Sequence, residues 1–284
     1  MDDALLERLA CRDPFERWNA CQELAALDVQ ELQRHIGVLA ACLRDSEFLV
    51  RSTACRVLEK MEPEAFLEPD LLAACMGDEP MMRRTACRAL AELEPLQLAP
   101  VAKLLGRGLA DEDPLARWAC CKALAKLGPD VLNPLAPQLA RCLKDPDVAL
   151  RSVACSALVR LDGEALSAEA PRLAWCLGDA SWKVRFEACR ALAKCRPAAL
   201  APYAPNLGAQ VARDEDCRAR VAACRALGSC PERSLAPLAP LLAAHFDDED
   251  ESMSVAALRA FAKIKSRVLR MSLIIFHPLC TGAP

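Results

Sequence analysis

Arg151-Ser-Val-Ala-Cys-Ser-Ala-Leu158 decides how this chain folds, because the same frame returns along its whole length. It reads again at Arg51 to Leu58, Arg83 to Leu90, Arg117 to Leu124, Arg185 to Leu192 and Arg220 to Leu227, with weaker copies at Arg17 to Leu24 and Ser254 to Phe261. The fifth residue of the frame is Cys21, Cys55, Cys87, Cys121, Cys155, Cys189, Cys224 and finally Leu258, at steps of 34, 32, 34, 34, 34, 35 and 34 residues. A period this regular marks a repeat array, in which each unit buries its apolar face only against its neighbours. A chain of 284 residues would otherwise suggest one or two domains. Here one elongated array over residues 1–265 is expected.

Residues 145–165 carry the logic of one unit. Asp145-Pro-Asp147 reads as a turn and a helix start, since carboxylates cap helices and favour the positive end of the dipole. From Val148 to about Leu161 the apolar residues Ala154, Cys155, Leu158 and Leu161 fall on one side at 100 degrees per residue, the stripe of an amphipathic helix. Asp162-Gly163 ends it. Another helix follows over roughly 168–177, with Pro171 early, where a missing N–H costs little. Its counterparts begin at Pro100, Pro137, Pro205 and Pro240, and Leu105 with Leu109, Leu139 with Leu143, and Leu173 with Leu177 hold matching places. Each unit is thus two antiparallel helices. Residues 266–284 leave the pattern; Val268, Leu269 and Leu273 to Phe276 make them a closing helix or an atypical tail.

The Asp-x-Asp turn, an Arg six residues after its first Asp, and the following Ala-Cys-x-Ala-Leu resemble the second helix of the HEAT repeat, in its compact, phycobilisome-lyase-like form. The resemblance covers residues 2–265 and implies an all-α, right-handed solenoid of about eight helical hairpins. The aromatic pattern of tetratricopeptide repeats and the Thr-Pro-Leu-His turn of ankyrin repeats are missing. The resemblance also implies a ladder between neighbouring units, with Asp45, Asp111, Asp145, Asp179 and Asp214 pairing near Arg51, Arg117, Arg151, Arg185 and Arg220. Cys11 stands where the first Asp belongs, and Ser254 where the last Arg belongs.

Composition narrows the function. Hydrophobic residues make up 54% and aromatic ones only 4%, so Ala, Leu and Cys fill the core. Seventeen cysteines invite a disulfide or zinc reading. Equivalent positions in stacked helices lie about 8–10 Å apart, beyond the ~7 Å that a disulfide spans between Cα atoms. No Cys-x-x-Cys pair exists and the three histidines are scattered. The cysteines are therefore expected to be buried thiols acting as small hydrophobes, and no cofactor or metal is expected. The charged N-terminus lacks a signal core, and no run reaches the roughly 18 apolar residues of a membrane span. A soluble, cytoplasmic protein is the expectation. His35, His245 and His277 form no His-Glu pairs, and no phosphate loop or nucleophile elbow occurs. An enzyme is not expected.

What remains is a charge pattern. Five and nine places after the start of each frame, on the face opposite the core, eleven of sixteen residues are basic in a chain of net charge −3. In HEAT-like solenoids the second helices line the concave surface, so a basic groove rimmed by acidic turns is expected. Arg56, Lys60, Arg88, Lys122, Lys126, Arg160, Arg190, Lys194 and Arg225 are its candidate contacts. Like charges one helical turn apart, such as Lys122 with Lys126 or Arg190 with Lys194, cost about 0.2–0.5 kcal/mol each. Stability alone would favour an acid at one of the two sites. The partner expected is an acidic peptide or protein surface bound by a non-enzymatic scaffold. The alternatives are a bilin-lyase-like subunit, for which no catalytic residue can be matched, and nucleic-acid binding, against which the acidic rim and scarce aromatics count. A small-molecule ligand is not expected. Trp18, Trp118 and Phe186, next to the frame Arg, face the flank between units.

Overall fold

The computed structural model describes residues 3–58 and 80–264, and all regular structure among them is helical. The frame forms one ladder helix per repeat. These are α1 (Pro14–Ala25), α2 (Phe48–Leu58), α3 (Pro80–Glu92), α4 (Pro114–Leu124), α5 (Val148–Leu158), α6 (Trp182–Leu192), α7 (Cys217–Leu227) and α8 (Glu251–Phe261). The chain divides into two compact units, 1–127 and 128–284. In the first, α1 packs on α2, α2 on α3 and α3 on α4; in the second, α5 packs on α6, α6 on α7 and α7 on α8. Lys60 and residues 266–284 lie outside the described residues.

The starts of the ladder helices follow from their turns. Asp13, Asp113, Asp147, Asp216 and Asp250 sit at the N-cap and accept first-turn N–H groups, as from Phe15 at 2.9 Å, Leu115 at 3.0 Å and Ala149 at 2.6 Å. A cap of this kind contributes about 1 kcal/mol. Helix α5 stops at Leu158, three residues before the expected end, because the chain tightens: Arg160 N bonds Ala157 O and Leu161 N bonds Leu158 O, each at 3.0 Å.

Among the described residues, the other arm of the hairpin is longer and more broken than expected. Helix begins at Gly163, capped by Asp162 through the N–H groups of Glu164 and Ala165, so the expected loop before residue 168 is itself helical. It breaks at Glu169 and resumes over Ala170–Trp175. The equivalent arm at 129–144 runs as Pro129–Leu132, a 3₁₀ turn at Asn133–Leu135, then Ala136–Arg141. Pro134 there, like Pro100, Pro202 and Pro237 in the matching turns, has no N–H for the α pattern and crowds the carbonyl four residues back. Leu105, Leu139 and Leu173 on these arms are fully buried, and Leu109, Leu143 and Leu177 nearly so.

The arginine ladder joins consecutive hairpins in one direction. The carboxylates of Asp45, Asp111, Asp179 and Asp214 each bind the arginine of the preceding hairpin. Arg17 meets Asp45 through Nε at 2.7 Å and Nη2 at 2.9 Å, Arg83 meets Asp111 at 2.6 and 3.2 Å, Arg151 meets Asp179 at 2.7 and 3.0 Å, and Arg185 meets Asp214 at 2.7 and 2.6 Å. Toward its own turn the arginine uses Nη1 and the Asp backbone: Arg51 bonds Asp45 O at 2.9 Å, Arg117 bonds Asp111 O at 2.8 Å, and Arg220 bonds Asp214 O at 2.9 Å. The expected pairing of Asp with its own Arg is thus made through the carbonyl, and the side-chain pairing reaches back one repeat. Burial raises the Asp45 and Asp179 carboxyls, but Arg17 and Arg151 with nearby N–H groups outweigh it and hold both below the usual range. Where Cys11 replaces Asp, its carbonyl still accepts from Arg17 at 3.1 Å; where Ser254 replaces Arg, its hydroxyl donates to Phe246 O at 2.5 Å.

The frame cysteines line the core. Of the fifteen described cysteines, all free, thirteen are buried, Cys11 is half-buried and Cys217 is exposed. Burial pushes the Cys224 thiol up to about 12 and those of Cys195 and Cys230 to about 11. The reactive thiolate is then scarce at neutral pH. A maleimide is expected to modify Cys217 and Cys11 in the native protein and to spare the other thirteen until denaturant is added. Peptide mass spectrometry reads this directly, and native labelling of Cys155 or Cys189 would contradict the packing described.

Candidate binding surface

The residues five places into each frame lie away from the core in both units. In the first unit Arg56 and Arg88 are exposed and Lys122 is half-exposed. In the second Arg190 and Arg225 are exposed, and so is Arg160 nine places into its frame. The described candidate cations are exposed or half-exposed, but they are not equivalent.

Two of them complete the fold. Lys126 and Lys194 stand beyond the ends of α4 and α6, and each reaches back one repeat to a carbonyl at the end of the preceding ladder helix. Lys126 Nζ donates to Leu93 O and Lys194 Nζ to Val159 O, both at 3.0 Å. A cation there satisfies an orphan carbonyl and favours the negative end of the dipole. The helical like-charge penalty expected for Lys122 with Lys126 and Arg190 with Lys194 therefore does not apply in its simple form.

Two others are neutralised. Lys122 Nζ lies 2.6 Å from Glu92 Oε1, and Arg190 Nη1 lies 3.0 Å from both Glu187 carboxylate oxygens. Lys122 holds the Glu92 carboxyl below its usual range, with Lys126 and Arg88 adding to the effect. Each cation also covers the ring one turn before it: Lys122 Nζ is 5.4 Å from the Trp118 ring centre, and the Arg190 guanidinium carbon is 5.7 Å from that of Phe186. Trp18, Trp118 and Phe186 are all half-buried on this flank.

The last two ladder helices differ. Between α7 and α8 opens a cleft of about 550 Å³, lined by Arg225, Arg259 and Lys263 with Ser229, Ser252 and Val255 among its walls. None of these three cations has a carboxylate partner among the described residues. Arg259 and Lys263 continue the five- and nine-place series in the sequence; their convergence with Arg225 depends on the packing of α7 against α8. The arrangement can hold anionic groups. Among the described residues no three or more His, Cys, Asp or Glu side chains are placed to hold a metal, and no helix is long and apolar enough to cross a membrane.

Comparison with known proteins agrees with this architecture. Residues 68–142 match a family model described as HEAT repeats. An engineered protein of known crystal structure superimposes with a TM-score of 0.69 at 19% identity, over 93% of this chain and 79% of that one. The Escherichia coli protein YibA gives 0.55 at 17% identity over 92% of each chain. At such identities the likeness is one of fold. No curated protein matches the sequence.

Proposed function

From a chain that carries HEAT repeats, we propose a non-enzymatic, protein-binding scaffold. Its ladder helices present cations to an acidic peptide or an acidic protein surface. Such repeats generally act as protein-interaction scaffolds. The observation that carries the charge preference is the exposure of Arg56 and Arg88 in one unit and of Arg225 in the other, at one frame position, in a protein of net charge −3. Exposed guanidinium groups recognise carboxylates through paired, charge-assisted hydrogen bonds. Lys122 and Lys126 in the first unit, and Arg190 and Lys194 in the second, hold equivalent frame places, but their ion pairs and carbonyl bonds tie them to the fold, so they make poorer probes of binding.

The test replaces Arg56, Arg88 and Arg225 together by Glu and compares captured partners with those of the wild type at physiological salt. A net charge-assisted contact contributes roughly 1.5–3 kcal/mol, so acidic partners should fall at least tenfold while the melting temperature stays put. Identical catches would refute the reading. A partner that proves to be nucleic acid, released steeply as salt rises, would refute it in a different way.

A further inference from the structure

We infer that the cleft between α7 and α8 is the anchoring site for an acidic peptide segment, an inference that rests on the protein-binding reading above and gives it a location. Its basis is a difference between homologous valleys. Between α3 and α4 the five-place cation Lys122 is met by Glu92 at 2.6 Å; in the valley of α5 and α6, Arg190 is met by Glu187 on its own helix. Between α7 and α8 those acidic positions hold Ser229, which takes the frame place of Glu92, and Ala222 and Ala256, which take the place of Glu187. The two arginines remain and their neutralising acids do not.

Lys263 differs in the same sense. It occupies the frame place of Lys126 and Lys194, which donate to carbonyls of the preceding repeat. Lys263 makes no such bond and lines the cleft with Arg225 and Arg259. The helix dipole explains one cation in the last turn of α7 and another in that of α8. It does not explain why the acids at the places of Glu92 and Glu187 are missing, which leaves Glu251 as the one carboxylate among the lining residues. Three like charges around one opening repel one another, and a ligand with clustered carboxylates relieves that repulsion.

The cleft also suits an extended segment. Its volume lies within the roughly 300–1,000 Å³ of ordinary ligand sites. Ser229 and Ser252 offer hydroxyls, and Val255 and Ala256 offer an apolar floor for side-chain methylenes. Glu251 lines the other end, eight residues from Arg259 on the same helix and so about 12 Å away. The site is therefore polar along its length: the acidic side chains of a bound segment belong at the Arg259 end, away from Glu251. The chain's own residues 265–284 fit poorly as the occupant, since they carry Lys265, Arg267 and Arg270 and no Asp or Glu.

The experiment uses fluorescein-labelled hexaglutamate as probe and fluorescence anisotropy at physiological salt. Ser229→Glu restores the acid that Glu92 supplies elsewhere without removing a cation, and is expected to weaken binding at least tenfold. Glu251→Lys is expected to strengthen it threefold or more. Arg213→Glu changes the charge as much as a cleft reversal would, at an exposed site on another arm of the same unit, and is expected to stay within twofold of the wild type. Melting curves confirm that each variant is folded. If Ser229→Glu binds within twofold of the wild type, the cleft is not the site, and the scaffold reading stands or falls on its own triple variant. If Arg213→Glu weakens binding as much as Ser229→Glu does, bulk charge and not a site is at work, which also overturns the inference. If the wild type ignores the probe, the cleft and the acidic-partner reading fall together.

Discussion

Arg151→Ala is expected to destabilise the second unit by roughly 3–5 kcal/mol at neutral pH, the usual cost of removing one partner from a buried ion pair. The Arg151 and Asp179 side chains are only 15% and 4% exposed. The guanidinium binds both Asp179 oxygens and also the carbonyls of Asp145 at 2.9 Å and Pro146 at 3.1 Å, so its loss strands an anion and two acceptors at once. The pH dependence identifies the cause. Burial raises the Asp179 carboxyl, and Arg151, the Ser181 N–H and the charge of Arg185 together hold it below its usual range. A carboxyl depressed in the folded state contributes stability above its unfolded pKa of about 3.9, and that contribution disappears as pH falls through the folded value. Without Arg151, burial meets less opposition, and the stranded carboxylate costs stability at neutral pH. The deficit should therefore be largest at pH 7, shrink as pH falls below about 4, and level off only below the depressed wild-type value, where both proteins protonate Asp179. Urea titrations at neutral and acid pH measure it. An equal deficit at both would show that the arginine acts through packing or its carbonyl bonds instead.

Leu192→Ala should cost about 2–5 kcal/mol. Leu192 closes the frame of α6 and is 0% exposed, as are Leu158 and Leu227 at the same place in α5 and α7. The cavity would lie in the layer where ladder helices meet, and helices on both sides would have to move to fill it. Leu96, 89% exposed on a first arm, provides the contrast; its replacement by Ala should stay within about 0.5 kcal/mol. Paired urea midpoints test this, and similar shifts for the two leucines would mean that the frame does not mark the core.

The repeat, the ladder helices, their caps and the buried frame positions were all legible, because each depends on residues close in sequence. Asp147 before Val148 announces a helix whatever surrounds it. The breaks in the first arms were only half legible. Pro171 signals an end as well as a beginning, and only the structure shows helix on both sides of it. The direction of the ladder was hidden for another reason. Arg151 is six residues from Asp145 and twenty-eight from Asp179, and spacing alone favours the nearer acid. The basic series appears in the sequence as a uniform stripe. Its division into tied and untied cations depends on what lies across the valley: Leu93 O for Lys126, Glu92 for Lys122, and no carboxylate for Arg259. Ser229 in the register of Glu92, with Ala222 and Ala256 in that of Glu187, was the sequence signal of that division.

The one-way ladder gives the hairpins a grammar. In the four joints described, one repeat presents a guanidinium to its successor and the next a carboxylate to its predecessor, so these hairpins connect head to tail and cannot be inverted. A duplicated 34-residue segment would arrive with both halves of the joint already made, and array length can change by tandem copying without inventing a new interface. Cys11, Gly77 and Ser254 are the places where the frame departs from this pattern. A repeat built like the first has no carboxylate for a predecessor, and one built like the last has no guanidinium for a successor.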